Sequence, residues 1–179
     1  AKTFLGDSSA PLIAIHPGSG SPLKNWPLDN WKILFLWLLS LHPQPRILLV
    51  GGEADHPQLL SLSSLAPHPS CLLAKDLELP LLAAVLSRAT LFIGHDSGIS
   101  HLAAATSCPC LLLFGPTDPN VWAPANPQVS ILRSPNHLLF AISPTQVQSE
   151  VTRLLTKQPS LSSTPLSPTI PHFSSDRLP

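Results

Sequence analysis

Two glycine-punctuated segments of this chain carry side chains able to grip an anion. In one, Thr90-Leu91-Phe92-Ile93 runs into Gly94-His95-Asp96-Ser97-Gly98-Ile99-Ser100-His101-Leu102-Ala103-Ala104-Ala105. An apolar run that turns at a glycine into an alanine-rich stretch reads as a buried strand feeding a helix N-terminus. Free N–H groups and the helix dipole converge on negative charge there. Asp96, Ser97 and His101 add polar groups at the same rim, which suits a phosphorylated ligand that also carries hydroxyls. In the other, Pro11-Leu12-Ile13-Ala14-Ile15 ends in His16-Pro17-Gly18-Ser19-Gly20-Ser21-Pro22-Leu23-Lys24-Asn25-Trp26-Pro27. Small residues let a backbone approach a ligand closely, and Lys24 supplies a point charge for a phosphate.

Each feature has a plainer reading. The Gly/Ser loop satisfies neither the P-loop nor the dinucleotide-binding pattern, and by itself serves equally well as an ordinary turn. Asp96 is also a candidate helix cap. Glu53, after Gly51-Gly52, stands where a carboxylate can accept hydrogen bonds from ribose hydroxyls, or is a solvated loop acid. His101 contacts a phosphate or braces the loop, and His16 is assigned a structural role. His16, His95 and His101 with Asp96 invite a metal reading, but positions 95 and 101 do not share a helix face. A serine nucleophile at Ser97 fails on its own motif, because the elbow needs glycines where His95 and Ile99 stand.

The elements that must position these groups alternate along the chain. Strands are expected at Leu12–His16, Arg46–Val50, Ser70–Leu73, Leu91–Gly94, Cys110–Phe114 and Val129–Leu132. Helices are expected at Leu28–Leu41, His56–Ala66, Leu79–Ala89, Gly98–Thr106 and Pro144–Lys157. The strand runs are continuously apolar, as in a parallel sheet covered on both faces. The last helix has a clear start: Ser143 as cap, Pro144 at the first position and Gln146 closing a capping box. Right-handed crossovers place every loop that follows a strand at one edge of such a sheet. The segments His16–Lys24, Gly51–Asp55, Asp96–His101 and Gly115–Asp118 should therefore meet at the carboxyl ends of the strands, where open α/β sheets bind ligands.

Taken together, the HPGSGSPLKNWP loop, the VGGEAD turn, the GHDSGISHLAAA block and the LFGPTDP loop, with Trp122 and Pro124 beyond it, resemble the nucleotide-sugar-binding half of glycosyltransferase family 9. That family includes the lipopolysaccharide heptosyltransferases. The resemblance covers residues 11–157 and implies a Rossmann-like parallel sheet flanked by helices, the C-terminal half of a GT-B enzyme. It implies Glu53 on the ribose, Asp96 beside the donor sugar, and Ser97 and Gly98 on the diphosphate. Ser19, Ser21 and Lys24 join them as phosphate-side candidates, with His101 at the rim. The implied donor is ADP-heptose or a similar nucleoside-diphosphate sugar, and the implied acceptor is a lipopolysaccharide core. Transfer would invert the sugar's configuration with no metal or cofactor. The family's catalytic carboxylate lies in an N-terminal domain, so no catalytic residue is expected in this chain. The implied location is cytoplasmic, or peripheral to the inner membrane.

Bulk properties bound the alternatives. The 179 residues suffice for one domain with a core. Ten basic and ten acidic residues give zero net charge, which argues against an extended nucleic-acid surface. Charged residues are only 11% of the chain and prolines number 22. No apolar run reaches the ~18 residues of a membrane helix. Methionine is absent, which together with the family's two-domain length suggests a fragment or a processed start. Cys71, Cys108 and Cys110 form no C-x-x-C and read as buried reduced thiols. Residues 1–10 are expected as a linker or interdomain remnant, 11–157 as the binding domain, and 158–179, rich in Ser and Pro, as a disordered tail. Two other readings share the fold: a non-catalytic nucleotide-binding module, and a flavodoxin-like regulatory domain that would not need Lys24, Glu53 and Asp96 at three strand ends.

Overall fold

The computed structural model describes residues 1–157, so the expected tail lies outside the described residues. Six strands form one all-parallel sheet: β1 (Leu12–Ile15), β2 (Arg46–Gly51), β3 (Cys71–Lys75), β4 (Leu91–His95), β5 (Cys110–Phe114) and β6 (Val129–Arg133). Their order across the sheet is β3-β2-β1-β4-β5-β6. This is the doubly wound order, in which the chain starts at the centre, builds outward to one side, then returns and builds outward to the other. The crevice between β1 and β4, where the winding reverses, is the place such sheets bind ligands.

Side-chain alternation along the strands divides the core into two layers. Ile13, Ile15, Ile47, Leu49, Ile93, Leu111 and Leu113 face one side. Against them pack Trp31, Leu34, Phe35 and Leu38 of α2 (Leu28–Leu39), Leu59 and Leu62 of α3 (His56–Ser63), and Val147 and Val151 of α7 (Pro144–Lys157). Leu12, Ala14, Leu48, Val50, Phe92, Leu112 and Phe114 face the other side. There they meet α4 (Leu79–Leu86) through Leu82, Val85 and Leu86, and α5 (Gly98–Ala105) through Ala103 and Ala104. The alanines let α5 lie close to the sheet, which sets its N-terminus at the crevice. Residues 1–10 contain a one-turn helix, α1 (Lys2–Leu5), whose Leu5 joins this second layer. A further single turn, α6 (Pro119–Trp122), follows β5.

The expected strands all form, β5 with its expected bounds and the others with ends shifted by at most two residues. The last helix ends at Lys157 as expected and α5 one residue early, whereas α2, α3 and α4 stop two or three residues short for a consistent reason. Leu41 donates to Leu38, Leu65 to Leu62 and Ala89 to Leu86, so α2, α3 and α4 each unwind through i→i−3 turns. The capping box at α7 is present: Ser143 N–H donates to Gln146 Oε1 at 2.8 Å, and Gln146 N–H to Ser143 Oγ at 3.3 Å.

Candidate functional site

The β1–β4 crevice gathers loops from across the chain. His16 N–H donates to the Ile93 carbonyl at 3.0 Å, which carries the sheet pairing one step beyond β1 before the loop departs. The loop then runs through a 3₁₀ turn at Pro22–Lys24 to Trp26. His95, the last residue of β4 and fully buried, holds it in place. Trp26 N–H donates to His95 Nε2 at 3.0 Å, so that nitrogen carries no proton. The proton is therefore on Nδ1, which donates to the Gly18 carbonyl at 3.2 Å. Burial pushes this imidazole down to about 4, against the smaller upward pull of the Gly18 carbonyl. His95 is a neutral strut joining β4 to both ends of the glycine-rich loop.

Lys24 and Asp96 meet directly, although the sequence reading gave them separate tasks. Lys24 Nζ lies 2.9 Å from Asp96 Oδ2. Asp96 is 7% exposed, and a carboxylate so buried needs a partner of opposite charge. Ser97 follows as the N-cap of α5, its Oγ accepting Ser100 N–H at 3.3 Å. The N–H groups of Gly98 and Ile99 find no acceptor among the described residues. Gly98 is exposed, and a side chain there would meet open space. Two helix-terminal donors and a capping hydroxyl are thus presented together.

The remaining expected residues divide. Ser19 Oγ bonds within its own loop, to the Ser21 carbonyl at 2.8 Å and Asn25 Oδ1 at 2.7 Å. Ser21 lends its carbonyl and N–H to that brace. His101 is exposed and its Nε2 donates to the Trp122 carbonyl at 3.1 Å, which is the bracing role. Glu53 is exposed at the start of the 3₁₀ turn Glu53–Asp55 and has no bonded partner among the described residues. A cavity of about 650 Å³ opens between these loops, lined among others by Ser19, Ser97, Gly98 and His101. Lys24, Asp96, Ser21 and Glu53 stand outside its lining. A second hollow of about 350 Å³, bounded by Gly51, Gly52 and Asp76, shares Leu79 and Ile99 with it.

The residue that sequence reasoning passed over is Asp55. It is buried, and its Oδ2 accepts Gly52 N–H at 3.0 Å and faces His16 Nε2 at 3.3 Å. Burial alone would raise its pKa, but the His16 and Gly52 hydrogen bonds outweigh that and hold the carboxyl below the usual range. It fills a notch between two glycines. A Cβ on Gly18 would stand 1.6 Å from Asp55 Oδ1, and one on Gly51 2.9 Å from Asp55 Oδ2. One local signal was available: an aspartate just before His56-Pro57 is a helix-start pattern.

With this geometry in view, comparison with known proteins is decisive. The sequence model of glycosyltransferase family 9 (heptosyltransferase) matches residues 1–148. The chain belongs to that family. It is 46% identical over 116 residues to lipopolysaccharide heptosyltransferase 3 of Escherichia coli K12, covering 63% of this chain and 33% of that protein. It is 27% identical over 135 residues to lipopolysaccharide heptosyltransferase 2 of Salmonella typhimurium, covering 73% and 38%. Among solved structures, the family 9 glycosyltransferase of Veillonella parvula superposes with a TM-score of 0.78 at 22% identity, over 88% of this chain and 49% of that one. An E. coli heptosyltransferase solved with ADP gives 0.75 at 23% identity, over 85% and 47%. The chain thus spans a third to two-fifths of the curated relatives named here. The fold is the Rossmann-like α/β domain of GT-B heptosyltransferases. Among the described residues no helix is long and apolar enough to cross a membrane.

Proposed function

We propose that this chain binds the nucleoside-diphosphate sugar for a heptosyl transfer onto a lipopolysaccharide core, with ADP-heptose as donor. The observation that carries this reading is the rim of the β1–β4 crevice. The Lys24–Asp96 pair sits at the end of β4, directly before the Ser97 hydroxyl and the free N–H groups of Gly98 and Ile99, and those three residues line a cavity of about 650 Å³. Those N–H groups, with Lys24, take the diphosphate. Asp96 turns its second oxygen to the sugar hydroxyls, and exposed Glu53 takes the ribose. ADP in one similar heptosyltransferase, and ADP-2-deoxy-2-fluoro heptose in another structure of it, support the choice of ligand.

Charge builds on the leaving diphosphate as the glycosidic bond breaks, and preorganised donors favour that state over the ground state. Asp96 and Glu53 are both committed to the donor in this reading, which leaves the acceptor hydroxyl to a base elsewhere. The base is assigned to an N-terminal domain, transfer inverts configuration, and the chain alone turns over no donor. The work would be cytoplasmic or at the inner membrane face. The alternative is a module that holds nucleotide without transfer.

Titration calorimetry of the chain with ADP, UDP and ADP-sugars tests the reading. The ion pair changes what the variants should do. Lys24→Ala removes a phosphate contact and strands a buried carboxylate, so it should weaken nucleotide and nucleotide sugar alike, by about ten- to a hundredfold for a lost charge-assisted bond of ~1.5–3 kcal/mol. Asp96→Asn should weaken the sugar nucleotide more than ADP. No heat at millimolar ADP or UDP overturns the assignment.

A further inference from the structure

Three strand-end loops are tied by one chain of side chains, of which the function above uses only the last member. Asp55, after β2, faces His16 Nε2 at 3.3 Å, and His16 Nδ1, after β1, faces Ser97 Oγ, after β4, at 3.3 Å. Both contacts are long for hydrogen bonds, as is common at sites that tighten on ligand binding. The positions of the protons follow from the neighbours. Asp55 Oδ2 only accepts, since Gly52 N–H already donates to it, so the nitrogen facing it, Nε2, bears a proton. Ser100 Oγ donates its single proton to the His95 carbonyl and cannot supply Ser97. Ser97 already accepts Ser100 N–H.

His16 therefore has one variable position, Nδ1, and the Ser97 hydroxyl responds to it. With Nδ1 bare, the Ser97 proton turns inward to it, and the hydroxyl offers a ligand only lone pairs. With Nδ1 protonated, His16 donates into Ser97 Oγ and the Ser97 proton is released from it, free to turn to Ser100 Oγ at 3.1 Å or to a ligand oxygen in the cavity. A phosphate oxygen accepts and never donates, so it selects the second arrangement. We propose that a diphosphate settles at Ser97 together with one proton taken from solvent onto Nδ1 of His16. This makes His16 and Asp55 positioning residues of the donor site. The inference rests on the diphosphate assignment made above.

The charged groups around His16 permit this. Asp55 is the counter-ion already in place, held below the usual carboxylate range and so ionised. His95 opposes a second charge only weakly, because both its nitrogens are committed and it stays neutral. Lys24 and Asp96 offset each other at the rim, and His101 on α5 is engaged by the Trp122 carbonyl. An imidazolium beside Asp55, coupled to the phosphate through Ser97, places positive charge where the leaving diphosphate gains negative charge.

The test uses the whole chain with ADP-glucose and UDP-glucose, whose doubly esterified diphosphates have no proton of their own titrating near neutrality. Imidazole ¹⁵N spectra read the tautomer and charge of each histidine, and affinities are measured at pH 6 and pH 8, bracketing the histidine range. Saturating ligand at neutral pH should raise the imidazolium fraction of His16, with the second proton appearing on Nδ1. Affinity should fall about tenfold from pH 6 to pH 8. His16→Gln, which cannot take the second proton, should bind about equally at both pH values. Should that variant not fold, the wild-type spectra decide alone. A complex in which His16 stays neutral, or in which His101 takes the proton instead, overturns the inference while leaving the donor site standing. Failure of both ligands to bind overturns the diphosphate assignment and this inference with it.

Discussion

Gly18 is the residue whose smallest possible change should disturb the loops most. In Gly18→Ala the new Cβ would lie 1.6 Å from Asp55 Oδ1 and 2.4 Å from its Cγ, far inside van der Waals contact. The carboxylate has little freedom to move aside, because Oδ2 is bonded to Gly52 N–H and faces His16, and Gly51 closes the other side of the notch. Either the loop after β1 shifts or Asp55 leaves its place. Overpacking costs ~1–3 kcal/mol, and giving up the charge-assisted bonds adds ~1.5–3. We expect a loss of about 2.5–6 kcal/mol in urea unfolding at an unchanged slope, with the melting temperature lower by roughly 5–25 °C for a domain of this size.

The cause is separable by a double-mutant cycle. In an Asp55→Ala background the obstructing oxygen is gone, and the nearest remaining atom of residue 55 is its Cβ at 3.2 Å. That distance is tight but within reach of a small loop adjustment. Gly18→Ala should then cost under about 1 kcal/mol, leaving a coupling of at least ~1.5 kcal/mol between the two positions. Additive costs, agreeing within about 0.5 kcal/mol, would refute the notch as the reason for glycine at this position.

Two further outcomes are expected. The unfolded chain protonates His95 as pH falls through about 6.5, whereas the folded chain protonates it only near 4. Between those values the unfolded state binds more protons, so the stability this histidine confers is intact above 6.5 and declines toward pH 4, by on the order of 3 kcal/mol. Denaturant titrations from pH 7.5 to 4 should show that decline in the wild type and a shallower one in His95→Gln; parallel slopes would count against the neutral-strut assignment. For Glu53, exposed and unpartnered among the described residues, Glu53→Ala should change stability by less than about 0.5 kcal/mol. It should also abolish any preference for ADP over 2′-deoxy-ADP, and a preference retained in full would take Glu53 off the ribose.

The strands were legible because each is a Leu/Ile/Val run bounded by turn residues, and local composition is enough to mark such a run. Continuous apolarity without alternation also foretold a sheet covered on both faces, which the two core layers bear out. Helix N-termini were legible for similar local reasons, as at Ser143 and Gln146. The C-termini of α2, α3 and α4 were not: Leu41, Leu65 and Ala89 are apolar enough to continue a helix, yet the last turn tightens to i→i−3 bonding as the chain leaves for the next strand. Nothing in residue type marks that change.

The site shows the same limit at longer range. That the loops after β1, β2 and β4 converge followed from crossover handedness alone. Which atoms meet within them did not follow. Gly52-Glu53-Ala54-Asp55 offers two acids two residues apart, and no local rule says which one turns inward. The choice is made by Gly18, 37 positions away in the chain, whose missing side chain leaves room for one carboxylate and places it against His16. Lys24 and Asp96, 72 positions apart, were read as ligands for different parts of one molecule because spacing cannot reveal a direct pair. Long-range contacts of this kind decide roles: His16, read from sequence as structural, becomes the group on which the Ser97 proton depends. Loop motifs locate a site, and the buried partners beneath the loops determine which atoms it presents.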